Sequence, residues 1–252
     1  MLWYKAWLET RWRFATGLVL LVLSGCAAVL GYPAAVKVLS RLPQVDGELG
    51  RQISEQAALA RDYRGYIWSQ WVVQSMRQLW ALFAVLLGTG GLLAQAARGG
   101  ALFTLSLPVS RGRLLGVRAA VALAELLILA LVPALEIPLL SPVVGQTYGL
   151  ADAIVHGTCL FIAGSGLFSF TFLLSTVFSD VWRPPLIVLC IAFLLRFLEQ
   201  VFGLERISLL AVMTAESYFR GNGVPWLGLF AGAAGSAALL YAAARNIARQ
   251  DF

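Results

Sequence analysis

The chain has 252 residues, of which 60% are hydrophobic and only 13% charged, with a net charge of +6. A soluble domain carries about 25% charged residues, so this shortfall, with a mean hydropathy of +0.79, places the chain among integral membrane proteins. The positive charge then reflects basic residues held at a cytoplasmic membrane surface rather than a nucleic-acid partner. The three cysteines, Cys26, Cys159 and Cys190, lie within apolar runs and point to small buried hydrophobes rather than a disulfide or a metal site.

Residues 1–13, MLWYKAWLETRWR, mix tryptophans with Lys5, Arg11 and Arg13 and predict an amphipathic helix lying in the membrane interface. Phe14 to Val36 carries no charge over 23 residues. About 20 apolar residues at ~1.5 Å rise each cross the ~30 Å hydrocarbon core, so 14–36 is the first predicted span. Leu23-Ser24-Gly25-Cys26 is similar to a lipoprotein cleavage box, but the sequence stays apolar beyond Cys26 as far as Val36, which favours an uncleaved span.

Residues 37–77 mix both signs of charge and predict an external loop with one or two surface helices, with Tyr66, Trp68 and Trp71 as interface anchors. The remaining apolar runs predict spans at 78–97, 114–140, 153–179, 185–204 and 221–244. Within DVWRPP, Pro184 suits the first turn of the fifth span. Residues 205–224 are mixed, and Ile207 to Met213 is too short to cross, so a surface or re-entrant helix is expected there. Six spans put both termini on one side. With that side inside, the inner segments hold ten basic residues against Arg206 and Arg220 in the short outer loops, which predicts cytoplasmic termini in a bacterial inner membrane.

Between the second and third spans lies RGGALFTLSLPVSRGRLLGVR, with Arg98, Arg111, Arg113 and Arg118 and no acid. A short amphipathic run, Leu102, Phe103, Leu105 and Leu107, precedes Pro108. The pattern predicts a surface helix at the inner face, a turn at 108–110, and the start of the next span.

No phosphate-cradling G-x-x-x-x-G-K-[ST] is present, and Gly164-Ser165-Gly166 lacks the context of a hydrolase elbow. The charges inside the spans are Glu125, Glu136, Arg196 and Glu199. Such groups face a bundle interior or a polar path, and Arg196 and Glu199, three apart on one face, can pair. His156 near an outer end reads as an interfacial polar group. Gly228, Gly232 and Ser236 form a small-residue stripe suited to close helix packing.

The stretch GGALFTLSLPVSRGRLLGVRAA resembles the signature of ABC-2-type transporter permeases, with Gly99 on the family glycine and Ser106-Leu107-Pro108-Val109-Ser110-Arg111 on the end of the motif. Trp3, Lys5, Trp7, Glu9 and Arg11 look like the family's entry helix, and the closing ARQDF like its C-terminus. Gln95 and Gly100 depart from the pattern, where the family often has glutamate and threonine. The resemblance implies an all-α, polytopic, six-span permease with an N-terminal interfacial helix and a cytoplasmic coupling helix. It implies no catalysis and no cofactor of the chain's own. ATP and Mg would be bound by two cytoplasmic ATPase subunits, and a second permease copy or a related chain would complete the path in the lipid bilayer. ATPase coupling would fall on Arg98, Gly99, Gly100, Leu102, Phe103, Leu105, Pro108 and Arg111. Two other classes stay open: a polytopic enzyme such as a lipid-modifying transferase using Glu125, Glu136 or His156, and a non-transporting membrane partner acting through loop 37–77. The transported substrate is not legible in the residues.

Overall fold

The computed structural model describes residues 2–39, 58–59, 61–89, 110–202 and 208–249. All regular structure among them is helical. The first helix, α1 (Leu2–Leu39), is continuous through the expected boundary at residue 13 and through Pro33. At ~1.5 Å per residue its 38 residues extend about 57 Å, nearly twice the hydrocarbon core. The tryptophan-rich opening is therefore the extension of the first span rather than a separate helix, and Trp3, Tyr4 and Trp12 on it are exposed.

The second helical run starts at α2 (Tyr63–Tyr66), where the Asp62 carboxylate accepts from the Gly65 N–H and caps it. It continues through ten residues of π-helix (Ile67–Met76) into α3 (Arg77–Leu87). The helix thus begins some fifteen residues before the predicted span, inside the predicted loop 37–77. Tyr66, Trp68 and Trp71, expected at the interface, are buried at 9%, 9% and 2% exposure. In the π-helical stretch, where bonding runs i→i+5, Trp68 and Trp71 join Ile67, Val72 and Met76 among the buried residues.

Then come α4 (Arg111–Leu140), a 3₁₀ turn (Ser141–Val144) closed by Gly145 at φ +68°, and α5 (Leu150–Leu174). Ser110 caps α4 through the Arg113 N–H. The helix α6 (Arg183–Phe202) has Pro184 in its first turn, as expected. Two short helices follow, α7 (Leu209–Met213) and α8 (Glu216–Phe219), and α9 (Trp226–Ala248) closes the described chain. Four helices, α1, α4 with its 3₁₀ extension, α5 and α9, are long and apolar enough to cross a membrane.

Contacts fix the directions. Thr10 meets Glu125 and Cys26 meets Glu136, so α1 and α4 run parallel. Tyr32 meets Tyr63, Trp71 meets Ser24, and Arg13 meets Leu86, so the 63–87 run is antiparallel to α1. Ser169 meets Ser236 and Thr176 meets Asn246, so α5 and α9 run parallel to each other. The core lies between these helices around Ile67, Trp71, Met76, Trp80, Leu126, Leu129, Ile137 and Phe168. The stripe on α9 packs within the chain: a Cβ on Gly232 would lie 3.2 Å from the Ala163 Cα, and one on Gly228 would strike Val212. These close approaches require glycine.

Candidate functional site

The bundle has two polar ends. At the end carrying residue 2, three elements converge on Thr89, the last residue described before segment 90–109. From α1, Arg13 donates through one Nη to the Leu86 carbonyl at 2.8 Å and to the Thr89 Oγ1 at 2.6 Å. A cation on the last carbonyls of α3 satisfies acceptors the helix leaves open and favours its dipole. From α4, Arg118 donates Nη2 to the Thr89 carbonyl at 2.9 Å, and its Nη1 lies 3.6 Å from the Glu9 carboxylate. Two turns further on, Glu125 is 4% exposed and accepts from the Thr10 hydroxyl at 2.7 Å. Its second oxygen has no hydrogen-bond partner among the described residues.

The local sequence explains the convergence. Arg118 and Glu125 are seven apart, two turns of helix, so they share a face of α4 and point at α1. Thr10 and Arg13 are three apart and present one polar face in return. The clamp thus joins the exit of the 63–87 run, the entry of α4 and the first third of α1 around the two ends of segment 90–109.

At the distal end, Arg64 and Asp152 form a two-pronged pair at 2.9 and 3.1 Å. The Arg64 guanidinium also lies 5.3 Å above the Phe219 ring, which stacks on Trp68. Tyr32 packs edge to face on Tyr63 and tilted on Tyr66, and the Tyr63 hydroxyl bonds Ser141 at 2.8 Å. Burial pushes the Tyr148 phenol up. His156 is 2% exposed, with Nδ1 on the Asp152 carbonyl at 2.5 Å, so it is a core residue and not an interfacial one.

Of the residues expected to couple to an ATPase, Arg98, Gly99, Gly100, Leu102, Phe103, Leu105 and Pro108 lie outside the described residues. Arg111 begins α4, and its side chain lies outside them too. Glu125 and Glu136 are separate: the first belongs to the clamp, while the second accepts from the Cys26 thiol at 2.8 Å, three turns away along α4. Arg196 is exposed on α6. It forms no ion pair with a described residue, and the Glu199 side chain lies outside the described set. Thr10, Arg13, Thr89, Arg64 and Asp152 were not singled out from the sequence, although the seven-residue spacing of Arg118 and Glu125 was a readable signal.

Among the described residues no group of His, Cys, Asp and Glu is placed to hold a metal ion. No family model, no curated protein and no solved structure matches the chain.

Proposed function

We propose that the chain is the permease subunit of an ATP-driven exporter of the ABC-2 type, with six spans, working as a pair and driven by separate cytoplasmic ATPase subunits. Besides the sequence resemblance, one observation carries this reading: Arg13 and Arg118 meet on Thr89. Thr89, just before segment 90–109, is tied both to α1 and to α4 two turns beyond the segment's other end, so a push on that segment would reach α1, α3 and α4 together. That is the mechanical property a coupling segment needs. Leu102, Phe103 and Leu105 would offer the apolar face of a short helix to a groove on the partner, and Arg98 and Arg111 would hold it at the anionic inner surface. The 63–87 run and α6 would complete six spans with the four long apolar helices, with both termini cytoplasmic.

The test is co-purification with a phosphate-loop ATPase co-expressed with this chain. Phe103→Asp and Leu105→Asp should abolish association and the stimulated ATP hydrolysis while leaving the permease folded. If both survive both changes, docking through this segment is wrong.

A further inference from the structure

Between α5, α6 and α9 runs an apolar groove of about 480 Å³. Its floor is almost without side chains, at Gly166, Gly228, Gly232 and Gly235, and its walls are leucine, isoleucine, valine and phenylalanine. The one polar residue lining it is Ser236, whose hydroxyl is already bonded to Ser169 at 2.6 Å. A polar ligand would find no partner along it.

On α9 the lining runs from Leu227 to Leu239, about 18 Å at ~1.5 Å per residue. That is close to one leaflet of the ~30 Å hydrocarbon core. Apart from Ser236 every side chain along it is apolar, which suits a hydrocarbon chain. At the distal end of the groove α6 turns polar. Arg196 follows the lining residue Leu195, is exposed, and forms no hydrogen bond or ion pair with a described residue. Trp226 stands at the same level at the start of α9, exposed like an interfacial anchor.

We infer that this groove is a binding site for one acyl chain of a membrane phospholipid, with Arg196 at its mouth receiving the lipid phosphate. The cation supplies the charge complementarity, and the dry, apolar groove supplies the chain site. This goes beyond the exporter reading and does not depend on it, because the site lies in the chain itself and can be assayed without an ATPase.

Glycine supplies the test. A Cβ at Gly166 or Gly235 would meet no heavy atom within 4 Å. Leucine at either position therefore fills the groove without displacing a helix, and it favours the helix over glycine. The full-length chain is reconstituted with dioleoyl phosphatidylglycerol or with dioleoylglycerol, which lacks the phosphate. Retained lipid is counted by native mass spectrometry, and folding by thermal unfolding. The wild type should keep one phospholipid per chain. Gly166→Leu on α5 and Gly235→Leu on α9 should each lower retention at least ten-fold. Arg196→Gln should lower phosphatidylglycerol retention about five-fold and leave dioleoylglycerol unchanged. Wild-type retention in either folded groove variant overturns the proposal. So does a dimer in the wild type that the leucine variants dissolve while lipid stays bound, since the occupant is then a second copy. Should one leucine variant fail to fold, the other decides.

Discussion

Replacing Arg118 by methionine separates the clamp from ordinary packing, because methionine keeps most of the stem and removes the charge. The lost hydrogen bond, at 2.9 Å to the Thr89 carbonyl, joins a buried charged donor to a main-chain acceptor and is worth about 1.5–3 kcal/mol. The Glu9 contact is longer, 3.6 Å, and Glu9 is 28% exposed, so it adds at most about 1 kcal/mol. The expected loss is about 2–4 kcal/mol in total. For a chain of this size each kcal/mol lowers the midpoint by about 2–4 °C, so Arg118→Met should unfold roughly 5–15 °C below the wild type. Arg118→Lys, a compact cation without the two-pronged fork, should lose about half as much. Thermal unfolding of the purified chain in detergent, followed by tryptophan fluorescence, measures the shift. Amide exchange at 86–89 should quicken in the same variant. A midpoint within about 1 °C of the wild type, with unchanged exchange at those amides, would refute the idea that this arginine holds the two ends of segment 90–109 together.

At the distal end, Asp152→Asn should cost about 1 kcal/mol, because the Arg64 side chain is 41% exposed and water screens the pair; a thermal midpoint lowered by a few degrees or less is the check. Two glycine-to-alanine changes should differ in sign. Gly88→Ala drives a Cβ to 2.8 Å from Thr171 and 2.9 Å from the Phe168 carbonyl and should destabilise, whereas Gly116→Ala meets nothing within 4 Å on exposed helix and should gain up to about 1 kcal/mol. Trp80→Phe removes an indole N–H that donates 3.0 Å to the Leu126 carbonyl in a fully buried position; it should cost about 1–3 kcal/mol, seen as a lower midpoint. Finally, Ser106→Cys should react with a membrane-impermeant maleimide only after the membrane is opened; labelling from outside sealed cells would place the segment on the wrong face.

The helical class and the long apolar helices were legible because hydropathy reads burial in lipid directly. α4 and α5 lie close to the expected 114–140 and 153–179. The second run was displaced for a physical reason. Uncharged length was the criterion, and it set the boundary at Arg77, yet Arg77 is only 7% exposed inside the helix. Its π-helical first half also breaks the 3.6-residue period on which a helical face is recognised. The opening was split at residue 13 because composition changes there, whereas backbone hydrogen bonding does not. Polar pairings were the least legible. Thr10 with Glu125 spans 115 positions and Arg64 with Asp152 spans 88, and no local spacing encodes such contacts.

The 63–87 run explains why so small a clamp matters to the whole bundle. Three buried tryptophans on it each give their indole N–H to a different neighbour. Trp71 reaches Ser24 on α1 at 3.1 Å, Trp80 reaches the Leu126 carbonyl on α4 at 3.0 Å, and Trp68 reaches the Thr214 carbonyl after α7 at 3.1 Å. Its far end is held by Arg64 to α5. Buried indoles that lose their acceptors cost desolvation without return, so this run cannot slide past one neighbour while the others stay fixed. It moves as a post to which α1, α4, α5 and the 208–219 elements are pinned. Thr89 is the foot of that post, and the clamp binds it. A displacement of Thr89 is therefore passed to every element pinned to this run. Cutting the pins one at a time, with Trp71→Phe and Trp68→Phe beside Trp80→Phe, should weaken coupling between the two ends more than it weakens either end alone.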